Sequence, residues 1–271
     1  MIKLSTIKKE PPQPKTIYVD LNCDLGEGFG IYQNSNEEKI LKYVSSVNIP
    51  CGGHAGDPVK IMNALQLAKS RLLSVGAHIG YPDVAGFGYR EMNLSYDELQ
   101  AMVFYQVGAL QTMAKAYKMH VDYVRPHGAL YKQMSTDAAL AISIAKALET
   151  LDSWLILVGA AGEALDHVKN ETRIRVAPEI HLNKQYSING EILWDEPVLT
   201  EKDKMINRAT RLIKEQKLIT KEDSLKEVDF KTIHLSTLDS ESVELARETR
   251  GLFPEKPLPV AVNLVGDNAL Y

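Results

Sequence analysis

Residues 17–30 read IYVDLNCDLGEGFG. The run opens as a short apolar strand, with expected bounds Ile17–Leu21, and passes directly into polar residues. Asp20, Asn22 and Asp24 recur at every second position, so an extended chain sets all three on one face. Three polar groups on one face of a buried strand need water, a ligand or a cation as partners. Gly26, Gly28 and Gly30 then allow backbone to approach a ligand closely. The plainer alternative is a polar strand end closing in an Asx turn.

The same event repeats along the chain. Apolar runs at Ser45–Ile49, Leu73–Ala77 and Val121–Arg125 each lead into a polar, glycine- or proline-bearing motif, and further strands are expected at Trp154–Val158, Arg173–Ala177 and Phe230–Leu235. Helical patterns separate them. Asp57-Pro58 is an N-cap followed by proline at the first helical position, with Ile61, Leu65, Ala68 and Leu72 as an apolar stripe. Ser95-Tyr-Asp-Glu98 is a capping box opening a helix that buries Val103, Leu110, Ala114 and Tyr117. Ser135-Thr-Asp137 precedes another, with Leu140, Ile144, Ala147 and Leu151 on one face. About seven strand–helix repeats predict a parallel α/β architecture. Polar motifs after four successive strands favour a (β/α) barrel, seven-stranded and irregular, over a doubly wound sheet, because a barrel gathers strand ends around one mouth. Residues 179–200 read as an excursion with a hairpin turning at Asn189-Gly190.

Composition narrows the classes. The chain has 271 residues and a formal net charge of −4, with 45% hydrophobic and 24% charged residues. That suits one globular domain, expected over 16–271, after a proline-rich, flexible lead-in at 1–15. The charge offers no phosphate-tracking surface for nucleic acid, and no run approaches the roughly 18 apolar residues of a membrane span. Two cysteines, Cys23 and Cys51, make no disulfide framework, and no export signal is evident; a cytoplasmic setting is expected.

The chemistry concentrates in the first half. Asp24 and Glu27 follow the first strand. His54 follows the second, on the tight turn of Cys51-Gly-Gly-His54. His78 and His127 end the third and fourth. Histidines after three different strands, each beside glycine or proline, are best explained by convergence on one pocket, where they offer proton transfer or neutral nitrogen ligands. Asp24 with His54, His78 and His127 is also a candidate Zn²⁺ set with an open position, although no H-E-x-x-H motif occurs and metal-free acid/base catalysis is the favoured reading. Asp57 is first of all a helix cap, and Cys51 first of all a buried residue. No P-loop motif is present.

Four stretches, DLNCDLGEGFG, NIPCGGHAGDP, GAHIGYPD and VRPHGALY, together with LILVGAAG at Leu155–Gly162, resemble the 5-oxoprolinase A-subunit family, also called the LamB/YcsF family. The resemblance implies a barrel related to the glycoside hydrolase and deacetylase superfamily. It implies ATP-dependent opening of 5-oxo-L-proline to L-glutamate, with Mg²⁺ accompanying the ATP and the 5-oxoprolinase subunits B and C as partners. In that setting Asp24, Glu27, His54, His78 and His127 are the catalytic candidates. Asn22, Asp57, Asp83, Arg90, Arg125 and Tyr131 are the substrate-contacting ones.

The chain departs from the family pattern in places. Arg125 stands where the family has Lys, and a planar fork is not equivalent to a point charge. Ile79 replaces a proline. The D-R-x-Y stretch reads Asn183-Lys-Gln-Tyr186. The late V-H-G-D motif is set against Leu235-Ser-Thr-Leu238, which puts Ser236 and Leu238 where the family has His and Asp. Those departures keep two alternatives open: a metal-dependent hydrolase or deacetylase acting alone on a small amide or sugar, and a regulatory subunit without catalysis.

Overall fold

The computed structural model describes residues 18–28, 36–237, 241–262 and 264. The expected lead-in at 1–15, Gly30 and Leu238 lie outside the described residues. Seven parallel strands close into a barrel: β1 (Asp20–Asp24), β2 (Ser46–Pro50), β3 (Ser74–Ile79), β4 (Tyr123–Pro126), β5 (Ile156–Ala160), β6 (Arg175–His181) and β9 (Thr232–His234), with β9 pairing both β6 and β1. The fold is the expected seven-stranded (β/α) barrel. Between β6 and β9 the chain forms the separate antiparallel pair β7 (Lys217–Ile219) and β8 (Leu225–Glu227).

Each barrel strand begins one to three residues later than its apolar run predicts. The reason is that the upper barrel interior is polar, so the strands continue into the motifs. Asn22, Asp24, Asn48, His78, Arg125, Glu179, His181 and His234 occupy strand positions, and all but Asp24 are buried. Beneath them, Tyr123, Ile156, Val158 and Ala177 pack with Val260 and Leu264 into an apolar floor. Tyr123 belongs to both layers, its hydroxyl donating to Asn48 Oδ1 at 2.8 Å. Its ring lies against Gly76: a Cβ there would come within 2.0 Å of a ring carbon.

Eight helices surround the barrel. They are α1 (Glu37–Ile40), α2 (Pro58–Arg71), α3 (Tyr96–Ala116), α4 (Gly128–Thr136), α5 (Ala138–Leu151), α6 (Glu163–Glu171), α7 (Lys202–Glu215) and α8 (Ser242–Gly251), counted among the described residues. Asp57 caps α2, accepting from the amides of Val59 and Lys60 at 2.9 and 3.0 Å. Ile61, Leu65 and Ala68 of α2 are buried as expected, but Leu72 is not on the stripe: it ends the helix in the left-handed region at φ 56° and is 85% exposed. Ser95 and Glu98 form the capping box of α3. The segment before α5, read only as its approach, is itself the helix α4, and Asp137 caps α5. The turn at Asn189-Gly190 is present, with Tyr186 and Ile192 bridged antiparallel and Gly190 at φ +88°. No helix among the described residues is long and apolar enough to cross a membrane.

Candidate active site

The site is built from strand ends, so the backbone ladder fixes where each side chain starts. β1 brings up Asn22 and Asp24, and the turn after it brings Glu27. Glu37 of α1 fixes that turn by accepting the amides of Gly26 at 3.0 Å and Glu27 at 3.3 Å. The turn after β3 is clamped by Gln106 of α3, which both donates to and accepts from the Gly80 backbone. Gly88, at φ +73°, lets the following loop pass against the imidazoles; a Cβ there would meet His127 and His54 at 2.8 Å.

Two linked clusters result. The first gathers Glu27, His54, His78 and His127, whose ligand-type atoms all lie within 4.8 Å of one another. Glu27 Oε1 is 3.7 Å from His54 Nε2, 3.7 Å from His78 Nε2 and 3.6 Å from His127 Nδ1. His78 Nδ1 donates to the Arg125 carbonyl at 2.9 Å and His127 Nε2 to the Phe87 carbonyl at 2.8 Å, since a carbonyl only accepts. Their remaining nitrogens face each other at 3.1 Å. His54 stacks on His127 with ring centroids 3.8 Å apart and planes 4° from parallel. Burial lowers the basicity of all three imidazoles, His78 to about 3. It also raises the Glu27 carboxyl well above its ordinary value, with Asp24 and Glu37 adding to the effect.

The second cluster joins Asn22, Asp24, Arg125, Tyr131, Glu179, His181 and His234. Arg125 and Glu179 form a buried ion pair, Nε lying 3.0 and 2.9 Å from the two carboxylate oxygens and Nη2 2.9 Å from Oε2. Glu179 also accepts from Tyr131 at 2.9 Å and Asn22 Nδ2 at 2.9 Å, and its Oε2 lies 3.0 Å from His181 Nε2. Burial would raise the Glu179 carboxyl, but Arg125 and His181 hold it well below the usual range. Because Glu179 can only accept, the Asn22 amide nitrogen points to it. Asn22 Oδ1 therefore faces His234, whose Nδ1 must donate across 3.0 Å. That leaves His234 Nε2 as the free lone pair, 3.6 Å from Asp24 Oδ2. Burial would raise the Asp24 carboxyl too, yet the Arg125 guanidinium and the Asn48 hydrogen bond hold it ionised.

A cleft of about 370 Å³ opens over this second cluster, lined among others by Asp24, Glu27, His127, His181, Lys184 and His234. Lys184 is half-buried, its ammonium 5.2 Å above the Trp194 ring, and no acidic partner of it occurs among the described residues.

The structure thus brings together Asp24, Glu27, His54, His78 and His127, with Asn22, Arg125 and Tyr131 around them. The fork of Arg125 is turned inward to Glu179, not left open for a ligand. The other expected contacts lie elsewhere. Asp57 caps α2, and Asp83 binds Arg90 and the Gly86 and Arg90 amides within the β3–α3 loop. Cys51 is buried, its thiol pushed up by burial. Glu179, His181, Lys184 and His234 are site residues that the sequence pattern does not single out. His234 corrects the reading of the late motif. Setting V-H-G-D on Ile233-His234-Leu235-Ser236 restores the histidine at the mouth and leaves Ser236, which lines the cleft, at the aspartate position.

A closed seven-stranded barrel with carboxylates and imidazoles gathered at the C-terminal mouth of its strands has the construction of a barrel enzyme. The chain belongs to the LamB/YcsF family, whose model matches residues 19–262. Among its relatives, the 5-oxoprolinase A subunit of Acinetobacter baylyi is 41% identical over 236 residues, 86% of this chain and 89% of that protein. The protein of the same name from Geobacillus kaustophilus is 37% identical over 84% of this chain and 90% of its own length. The crystal structure of the lactam utilization protein from Thermus thermophilus superimposes with a TM-score of 0.81 at 34% identity, covering 87% of this chain and 96% of that one.

Proposed function

We propose that this chain is the A subunit of a 5-oxoprolinase and opens the lactam ring of 5-oxo-L-proline to L-glutamate, with ATP and its Mg²⁺ as co-substrate and subunits B and C as partners. The names of its relatives support the reading. The observation that carries it is the pairing of Asp24 with His234 beside Lys184 at one cleft: an acid/base pair next to a cation without an acidic partner among the described residues.

The chemistry explains why such a site is needed. The lactam is an unstrained amide, so its carbonyl resists water. In the assembled complex the amide oxygen takes the γ-phosphoryl group of ATP, ADP leaves, and the carbon becomes electrophilic. Water then adds to that carbon, the ring C–N bond breaks with the nitrogen taking a proton to become the amino group of glutamate, and a second water releases phosphate from the resulting acyl phosphate to leave the carboxylate. In this chain Asp24, held as the anion, orients the water. His234 Nε2, kept unprotonated because Asn22 fixes the other tautomer, accepts the water's proton and can return it to the leaving nitrogen. Lys184 holds the substrate carboxylate as a charge-assisted contact.

Glu27, His78 and His127 have donor atoms that fit a metal ion, whose contribution would be to polarise an oxygen of the substrate or water. The proton transfers belong to Asp24 and His234.

The test is reconstitution. The chain is mixed with its partner subunits, 5-oxoproline, ATP and Mg²⁺, and glutamate is measured. Release only when all components are present supports the reading. An assembled complex that releases no glutamate, or one that does so equally well without this chain, overturns it.

A further inference from the structure

Three buried polar atoms in the first cluster have no hydrogen-bond partner among the described residues: Glu27 Oε1, His54 Nδ1 and His54 Nε2. Glu27 is 7% and His54 1% exposed. Buried polar atoms of this kind are rare, and for Glu27 Oε1 an unplaced ion is one explanation. A second observation is independent of the first. His78 and His127 have each committed one ring proton to a backbone carbonyl, so in their neutral forms two lone pairs face each other at 3.1 Å. Histidine that donates one N–H to a carbonyl while aiming its other nitrogen at a common point is the usual outer-shell arrangement of a metal ligand.

The distances decide which residues belong. Glu27 Oε1, His78 Nε2 and His127 Nδ1 form a triangle with edges of 3.1, 3.6 and 3.7 Å. A point equidistant from those three atoms lies about 2.0 Å from each, which is the bond length of Zn²⁺ to imidazole nitrogen or carboxylate oxygen. His54 is different. A bound ion lies near the plane of each imidazole that ligates it, and the His54 and His127 planes run parallel at a centroid separation of 3.8 Å. One ion cannot lie in both planes at bonding distance. Asp24 Oδ1 comes within 3.4 Å of His78 Nε2, but it accepts from Asn48 at 2.8 Å, lies 3.5 Å from Arg125, and falls outside the set whose donor atoms all lie within 4.8 Å of one another.

Charge agrees with geometry. Asp24 and Glu37 are the carboxylates that act on Glu27, while the guanidinium beside them, Arg125, has its fork on Glu179 and its Nη1 3.5 Å from Asp24. A cation at Oε1 would offset the burial and the neighbouring carboxylates that disfavour Glu27 as an anion. The one donor near His78 Nε2 among the described residues is Arg125 Nη1, at a long 3.4 Å. A proton shared by His78 and His127 would satisfy those two rings but would still leave Glu27 Oε1 without a bond.

We propose that Glu27, His78 and His127 bind one divalent transition-metal ion of the Zn²⁺ class, with His54 packed against the site as a non-ligand. Three protein ligands leave a position for water or substrate, the pattern of a catalytic site, not of a closed structural one. The inference concerns the same mouth as the proposed function but does not depend on which substrate is turned over.

The experiment uses the full-length chain, stripped with chelator and titrated with Co²⁺ while the visible spectrum is recorded, followed by Zn²⁺ competition. One equivalent of Co²⁺, visible bands of a four- or five-coordinate ion, and displacement by Zn²⁺ are expected. Glu27→Gln and His127→Ala should weaken binding at least 100-fold, whereas His54→Ala should retain one equivalent. Thermal unfolding of each variant in chelator, matched to the stripped wild type, establishes that the variants are folded. A folded wild type that binds no Co²⁺ at 100 µM overturns the proposal. So does Glu27→Gln binding as tightly as wild type, or loss of the ion in folded His54→Ala. Glutamate release by the reconstituted complex is read separately, so a metal-free chain that supports turnover sinks this inference alone.

Discussion

Arg125 presents its Nε to both carboxylate oxygens of Glu179, at 3.0 and 2.9 Å, with both side chains buried inside the barrel. The pair organises the mouth: Glu179 also receives Tyr131 and Asn22, and through Asn22 it sets the tautomer of His234. Removing one partner of such a pair strands a buried charge. Glu179→Ala should therefore cost about 3–5 kcal/mol of stability, measured by urea unfolding. Glu179→Gln, which keeps shape and part of the hydrogen bonding, should cost less. Equal stability of Glu179→Ala and wild type would show that the pair is not the constraint described.

Gly76 is the seat of the Tyr123 ring. A methyl group at 76 would sit 2.0–2.5 Å from three ring atoms, too close for any small adjustment. Gly76→Ala should destabilise by about 3 kcal/mol or more, at or beyond the upper end of ordinary overpacking. The double variant Gly76→Ala, Tyr123→Leu should recover part of that loss. A single variant with an unchanged urea midpoint would contradict the packing.

Lys184 tests substrate recognition apart from chemistry. If it binds the 5-oxoproline carboxylate, Lys184→Ala should raise KM about 10–100-fold, in line with a charge-assisted hydrogen bond, with a much smaller change in kcat. Unchanged KM in the reconstituted complex would remove it from the substrate site.

The pH dependence of stability has a definite sign. His234 is held at about 3, below its ordinary 6.5, chiefly by burial, with Arg125 adding to the effect. The folded chain thus binds fewer protons, and this stabilisation, complete above about pH 6.5, is lost as pH falls toward 3. His181 is lowered as well, by burial. Asp20 works in the opposite direction. Burial raises it to about 6 despite hydrogen bonds from Ser45, Ser46 and Thr232, so its contribution is lost as pH rises from about 4 to 6. Glu27, Glu37 and Asp122 are raised by burial as well, but the five depressed histidines, His54, His78, His127, His181 and His234, outnumber these four carboxyls, and chelator-treated protein should lose stability on going from pH 7 to 4.5. Asp20→Asn should steepen that loss by up to about 1.4 kcal/mol per pH unit between pH 4 and 6. Urea midpoints independent of pH over this range would refute the assignment.

Much of this site is legible in the sequence because a parallel barrel places strand ends at one mouth. Asp24, Glu27, His54, His78 and His127 stand in glycine- and proline-marked motifs directly after apolar runs, and the structure gathers them. What is hidden lies where the strand pattern is weak. The apolar run of β6 ends at Ala177, yet the strand continues through Pro178 to His181, and Ala177, Glu179 and His181 alternate on one buried face. That i, i+2 spacing is the available signal, masked by a proline that usually ends a strand. In β9 the order Thr232-Ile233-His234 repeats the polar–apolar–polar alternation of Asp20-Leu21-Asn22, and a shift in the motif register conceals it. Asp57, Asp83 and Arg90 show the converse: conspicuous residues beside the motifs that cap a helix or tie down a loop.

Asp24 and His234 come from the first and last strands of the barrel and meet 3.6 Å apart, and ring opening rests on them as its acid/base pair. Glutamate release by the reconstituted complex containing Asp24→Asn or His234→Ala tests this most directly. Each variant should fold and assemble like wild type and lose about 10²–10⁴-fold in kcat, the range of a positioned proton-transfer group. Wild-type turnover in either assembled variant would contradict it.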